Sequence, residues 1–171
     1  LKTFEEFQVW NKRECEELRE IALDHEPVRA SADIRQATRY WIDGDLYTGI
    51  FGPLHALCDK HNFWDFQMLW SADALPSLEV IHYKAGDFYK PHTDWGGKYK
   101  NRKLSFSVQL SDSGEYLGGD VALFDGPEPW KLTRKQGWAT LWPSWTLHEV
   151  EPVAHGERWA AVGWLLGPQY C

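Results

Sequence analysis

The stretch Tyr89-Lys-Pro-His-Thr-Asp-Trp-Gly-Gly97 (YKPHTDWGG) sets an imidazole at His92 one residue from a carboxylate at Asp94 and then breaks into two glycines. It follows the strand-like run LEVIHY (78–83) and a turn at Ala85-Gly86. On an extended chain alternate residues project to one face, so an extended 91–95 presents His92 and Asp94 as two metal ligands side by side. Such a spacing alone is weak, because short patterns recur by chance. Two later features add weight. His148, in SWTLHEVEP (144–152), stands near the end of the strand-rich region, where a late strand of a closed sheet returns to the first. Two histidines and one carboxylate on three corners of an octahedron leave the opposite corners open, which suits non-haem Fe(II) and oxygen chemistry better than zinc. Ten residues on, Arg158 opens RWAAVGWLLG (158–167), and alternation places Arg158, Ala160, Val162 and Trp164 on one face. A planar guanidinium pointing into a barrel fits a bidentate carboxylate. Taken alone, Arg158 reads as a surface ion pair with Glu157; the joint pattern outweighs that reading.

The rest of the chain sets the frame. A length of 171 residues with 43% hydrophobic content fits one globular domain with a sizeable core. The formal charge of -7, without large clusters of Lys and Arg, argues against a nucleic-acid or anionic-membrane binder. Cys15, Cys58 and Cys171 are odd in number and lack a C-x-x-C spacing, which suits a reducing compartment such as the cytoplasm and provides neither a disulfide framework nor a zinc knuckle. No apolar run of about 18 residues and no signal-peptide pattern appears. The chain begins at Leu1, so its natural N-terminus is unseen.

Along the chain, a helical first third gives way to strands. Asn11 and Glu14 form a capping-box pattern, and Cys15, Leu18, Ile21 and Ala22 recur at helical spacing, predicting a helix over 12–25. Tyr47, Ile50, Phe51, Leu54, Leu57 and Cys58 draw a second helical stripe. From Phe63 onward the runs FWDFQMLW, LEVIHY, LSFSVQLS, VALF, GWATLWP, LHEVEPV and RWAAVGWLLG read as strands. The eleven tryptophans fall mostly in these runs and read as packing. Asp43-Gly44-Asp45 reads as a turn after the strand RYWI, since the other ligand positions of a calcium loop are missing. WGGKYKNRK (95–103) carries Lys98, Lys100, Arg102 and Lys103, a basic run that reads as a mobile solvated loop, with recognition of an acidic peptide as the alternative.

In order along the chain, His-Thr-Asp (92–94), His148 and Arg158 resemble the Fe(II)- and 2-oxoglutarate-dependent dioxygenases, in particular their prolyl-4-hydroxylase-like branch. DIRQATRYWIDG (33–44), YKAGDFYKPHTD (83–94) and SVQLSDSGEYLGGDVALF (107–124) carry the similarity to hypoxia-sensor-type prolyl hydroxylases and their bacterial and viral relatives across most of 11–167. The resemblance implies an α+β fold: a double-stranded β-helix, or jelly roll, of eight core strands over about 63–167, with N-terminal supporting helices over about 1–62, in one domain. It implies Fe(II) on His92, Asp94 and His148, and 2-oxoglutarate on Arg158 with Tyr83 as a hydroxyl donor. Gln109 stands where the hypoxia-sensor relatives have a tyrosine, and its amide is expected to donate to the same distal carboxylate. Arg35, Tyr89 and Trp164 match positions on the substrate side, with peptides approaching between 35–41 and 95–103. O2 is the oxidant and ascorbate the implied reductant. The substrate implied is a peptidyl proline, because RWAAVGW lacks the second arginine of the DNA-repair branch. A free amino acid or small metabolite is the alternative. A non-catalytic, metal-binding cupin-like module is a rival that gives Arg158 and Gln109 no reason to point inward, and a zinc hydrolase is a weaker one.

Overall fold

A computed structural model describes residues 3–43, 47–69 and 78–169. Asp45, half of the calcium alternative, and Cys171 lie outside these residues, as does Trp70 at the end of one expected strand. The chain opens with β1 (Glu5–Gln8) and α1 (Lys12–Leu23). The capping box forms as expected: Asn11 Oδ1 accepts from Glu14 N at 3.0 Å, and the Glu14 carboxylate accepts from Asn11 N at 2.7 Å. The helix buries Cys15, Leu18 and Ala22 and leaves its charged face to solvent. A hairpin of β2 (Val28–Ala32) and β3 (Arg35–Ile42) leads into α2 (Thr48–Lys60). That helix contains Pro53 and has no side-chain N-cap, so burial of Phe51, Leu54 and Cys58 is what holds it.

The strands that follow are β4 (Leu78–Tyr83), β5 (Phe88–His92), β6 (Arg102–Gln109), β7 (Tyr116–Gly118), β8 (Val121–Leu123), β9 (Trp130–Lys131), β10 (Trp138–Pro143), β11 (His148–Val150), β12 (Val153–Gly156) and β13 (Arg158–Leu166). Among the described residues, one curled antiparallel sheet runs β1-β10-β6-β13-β4-β3-β5-β11-β8-β9, with β2 on β3, and β7 pairs with β12 separately. The eight expected core strands are these ten segments once two breaks are mended. Gly118 and Gly119, both left-handed at φ 69° and 64°, divide β7 from β8, and Glu151-Pro152 divides β11 from β12. The broken halves still pair with each other, β7 with β12 and β8 with β11, as one bent ribbon. Gly118 has to be glycine: a Cβ there meets the carbonyl oxygen of Pro152.

Two expectations need correcting. The N-terminal support is mixed rather than helical, since β1 extends one edge of the sheet and β3 lies inside it between β4 and β5. The run from Phe63 is not a strand over 63–69. Asn62 folds it back, accepting from Phe66 N and donating to Phe66 O, and Asp65 turns left-handed at φ 55°. Its aromatic pattern comes from packing, with Trp64, Phe66 and Met68 resting on the main core as a loop.

Two apolar clusters sit on opposite faces of the curl. The larger joins Leu18, Phe51 and Leu54 of the helices to Val80, Leu104, Leu141 and Leu165. The smaller holds Ile81, Tyr83, Val121, Trp142 and Val150. Strand β4 is buried at all six positions because it belongs to both, which is why LEVIHY shows no polar alternation.

Gly137 joins the N-terminal segment to this sheet. Its carbonyl accepts from Val9 N and Trp10 N at 2.8 and 3.1 Å, and its N–H donates to Gln109 O at 2.8 Å. It has φ 79°, and an added Cβ would be driven into the Trp10 carbonyl. Gly137→Ala is therefore expected to cost about 2–3 kcal/mol in urea unfolding. Asn11→Ala, which removes only the cap, is expected to cost about 1 kcal/mol.

Candidate metal and anion site

Strands β5 and β11 pair antiparallel with His92 directly opposite His148. Each ring is fixed by its own neighbourhood: His92 Nδ1 lies 2.7 Å from Lys90 O, and His148 Nδ1 lies 2.9 Å from Thr146 O. A carbonyl oxygen only accepts, so each Nδ1 donates and Nε2 is left as the ring nitrogen free to ligate. Both Nε2 atoms face one carboxylate, with His92 Nε2 3.7 Å from Asp94 Oδ1 and His148 Nε2 3.4 Å from Asp94 Oδ2. Burial, and after it the neighbouring His148, pulls the His92 imidazole down to about 4, so it stays neutral. All three ligand atoms fall within 4.8 Å of one another. This donor set, two imidazoles and a carboxylate, fits a divalent metal.

Asp94 reaches this point by a different route from the one its spacing suggested. Strand β5 ends at His92, so 91–95 is not extended throughout. The backbone instead turns onto the loop after β10, where Asp94 N and Trp95 N both donate to Ser144 O at 2.9 and 3.0 Å. Ser105 Oγ donates to Asp94 Oδ2 at 2.7 Å and shares a 2.9 Å hydrogen bond with Ser144 Oγ, which steers the carboxylate.

The same cavity, about 280 Å³ in volume, is lined by Arg158 and Tyr83, paired across β13 and β4. Arg158 is 1% exposed, its Nε donates to Gln109 Oε1 at 3.2 Å, and its Nη2 has no partner among the described residues. A buried guanidinium with an unused donor calls for an anion. Burial raises the Tyr83 phenol above its ordinary value, so it keeps its proton and remains a donor. Gln109 differs from expectation: it stands behind Arg158, accepting from it, and is not among the residues of the cavity wall.

Of the three expected substrate-side residues, all line the cavity. Tyr89 stacks on His92 with centroids 3.5 Å apart, and the Arg35 guanidinium lies 4.5 Å from the Tyr89 ring. Trp164 lies 3.6 Å from the Arg102 guanidinium. Sequence reasoning missed Glu79, fully buried in β4, which accepts from Arg35 Nη2 at 2.5 Å and from Arg39 through both Nε and Nη2. The signal was present: an acid inside an apolar strand, with Arg35 and Arg39 four apart upstream. Ser105 left no comparable trace.

The model of the 2OG-Fe(II) oxygenase superfamily matches residues 78–166. A PKHD-type hydroxylase of Prochlorococcus marinus is 42% identical over 81 residues, covering 47% of this chain and 37% of that protein. The chain spans about two fifths of the length of such curated relatives. Among solved structures, a Pseudomonas putida prolyl-4-hydroxylase superposes with a TM-score of 0.75 at 19% identity, covering 97% of this chain and 93% of that one. A Trichoplax adhaerens prolyl hydroxylase in complex with a hypoxia inducible factor peptide fragment superposes at 0.76 and 17% identity, covering 96% and 83%. At these identities the two structures establish the jelly-roll fold.

Ser105→Ala removes the hydroxyl that donates to the Asp94 carboxylate. Loss of a buried hydrogen bond to a charged group should lower the unfolding free energy by about 1.5–3 kcal/mol. Chemical denaturation of the metal-free protein measures it, and an unchanged midpoint would show that the hydroxyl does not hold the carboxylate.

Proposed function

The chain belongs to the 2OG-Fe(II) oxygenase superfamily, and on that premise we propose that it is an Fe(II)- and 2-oxoglutarate-dependent dioxygenase that hydroxylates a peptidyl proline. One observation carries the reading: the partnerless Nη2 of buried Arg158 lines the same cavity as the His92, Asp94 and His148 cluster. A metal-binding module without turnover has no use for that guanidinium.

His92 Nε2, Asp94 and His148 Nε2 would hold the iron, and Arg158 the distal carboxylate of 2-oxoglutarate. Bound together, iron and cosubstrate supply an O2-derived oxidant able to take hydrogen from an unactivated C–H, with succinate and CO2 as products. The chain's own work is placement. The Nδ1–H bonds to Lys90 O and Thr146 O keep both Nε2 lone pairs pointed at the metal position. Tyr83 offers a second donor beside Arg158, and Gln109 holds the guanidinium from behind. Ile81, Val121, Trp142, Val150 and Val162 give the cavity an apolar lining that limits water. Arg35, Tyr89 and Trp164 would receive the substrate. A peptidyl proline is supported by the names of the PKHD-type and prolyl-4-hydroxylase relatives and by the peptide held by the Trichoplax protein. Ascorbate as reductant, a cytoplasmic location and a single domain belong to the same reading. No helix among the described residues is long and apolar enough to cross a membrane.

Anaerobic Fe(II) with 2-oxoglutarate should give a weak visible charge-transfer band. His92→Ala, Asp94→Ala and His148→Ala should each abolish it, and a band surviving in all three would refute the ligand set. Arg158→Ala should raise the 2-oxoglutarate requirement roughly 30- to 1000-fold, the loss of about 2–4 kcal/mol from a charge-assisted contact. Arg158→Lys falls between, keeping charge without the fork. Gln109→Ala, acting through Arg158, should cost about 1 kcal/mol in cosubstrate affinity. An unchanged 2-oxoglutarate requirement in Arg158→Ala would sink the cosubstrate assignment.

A further inference from the structure

The charges on the cavity wall do not balance. Arg35, Arg39, Arg102 and Arg158 face Glu79 and Asp94. In the reading above, Arg158 answers the cosubstrate and Asp94 the metal, which leaves three guanidiniums against Glu79 alone. Glu79 is already fully engaged, accepting from both Arg35 and Arg39. Even so, Arg35 Nε is buried without a partner among the described residues. Arg102 has less still. The Tyr99 and Trp164 rings lie 3.8 and 3.6 Å from its guanidinium carbon, and among the described residues its side chain's one hydrogen bond is a long 3.4 Å contact from Nη1 to the Asp94 backbone oxygen. Among the described residues no acidic side chain forms an ion pair with it. Rings over the guanidinium pin its plane and leave its N–H edge to an acceptor. A guanidinium held between two rings without an answering charge costs free energy that an anion would offset.

This concentration of arginine stands in a chain of net charge -7, so the positive field is local to the cavity. It also continues outward. A shallower groove shares Trp41, Tyr99, Arg102 and Trp164 with the main cavity and adds Lys98 beyond them. Arg102 thus stands at the sill between the metal chamber and an outer groove that is itself cationic.

Resting on the function proposed above, we propose that the substrate carries a carboxylate that docks on Arg102 beside the Arg35–Arg39 pair. The outer groove runs on from the chamber past Arg102 to Lys98, room for the residues that flank the oxidised one, so the preferred substrate is a peptide with Asp or Glu next to that residue. The basic stretch 98–103 then has a specific role: Arg102 is the recognition residue, and Lys98 extends its reach.

The test is binding, read by tryptophan fluorescence, to the protein alone and to the protein with anaerobic Fe(II) and 2-oxoglutarate, so that no turnover is needed. The probes are short synthetic proline peptides with Asp or Glu beside the proline, their Asn or Gln isosteres, and free proline against prolinamide. Acidic peptides are expected to bind at least about tenfold more tightly than their isosteres, a preference that weakens with salt. Arg102→Gln should reduce that preference to about twofold or less, and Arg102→Lys should restore part of it. A preference confined to proline over prolinamide would uphold the carboxylate but assign it to a small free acid, overturning the peptide. Equal binding across both series, or no binding by any probe, overturns the proposal. Charge-selective binding by protein that forms no succinate when Fe(II), 2-oxoglutarate and O2 are supplied in a parallel assay would instead count against the oxygenase reading and leave this one standing.

Discussion

The pairing of β5 with β11 is the constraint on which the site depends, because its register puts His92 across from His148. Side chains alternate along a strand, so a slip of one residue would send one imidazole to the outer face and scatter the donor set. The register is held from both sides: β5 hangs on β3 through Arg35 opposite Tyr89, and β11 lies on β8 from His148 to Val150. The irregularity just past His148 shifts the pairing before Val150, so the match is tight where the ligands stand and loose beyond.

The cavity is an expensive thing to build into a small apolar cluster. It buries the charges of Arg158 and Glu79 nearly completely, and each would be strongly unfavourable alone. Glu79 is made tolerable by two arginines from the neighbouring strand, whereas Arg158 is only half answered, by a neutral amide. The first arrangement answers both carboxylate oxygens of Glu79, although it leaves Arg35 Nε without a partner among the described residues. The second is incomplete in the isolated chain, and the difference separates residues that hold the wall from residues that await a ligand.

Much of this was legible in the sequence, and the parts that were not share a cause. Local signals carried through: the Asn11 and Glu14 box, the alternation that turned Arg158, Val162 and Trp164 to one face, and the strand containing His92. The convergence of His92, Asp94 and His148 was also foreseen, although by an incorrect path. Asp94 reaches the histidines through Ser105 and the carbonyl of Ser144, fifty residues along the chain, and no spacing rule sees a hydrogen bond to a distant carbonyl. Gln109 was misread for the same reason, since its amide turned toward Arg158 rather than into the cavity. The Phe63 run failed differently: its aromatic density reflects packing against the core, which a loop achieves as well as a strand.

Gln109 has a further consequence. Its backbone carbonyl accepts from Gly137 N–H, while its side chain accepts from Arg158 Nε. Gly137 in turn carries Val9 and Trp10 at the entrance to α1. One residue of β6 therefore bolts the N-terminal support and the buried guanidinium to the same point of the sheet. The support behaves as part of the frame that sets how far the cation reaches, so a disturbance at the first helix would register as a change in grip on a small anion.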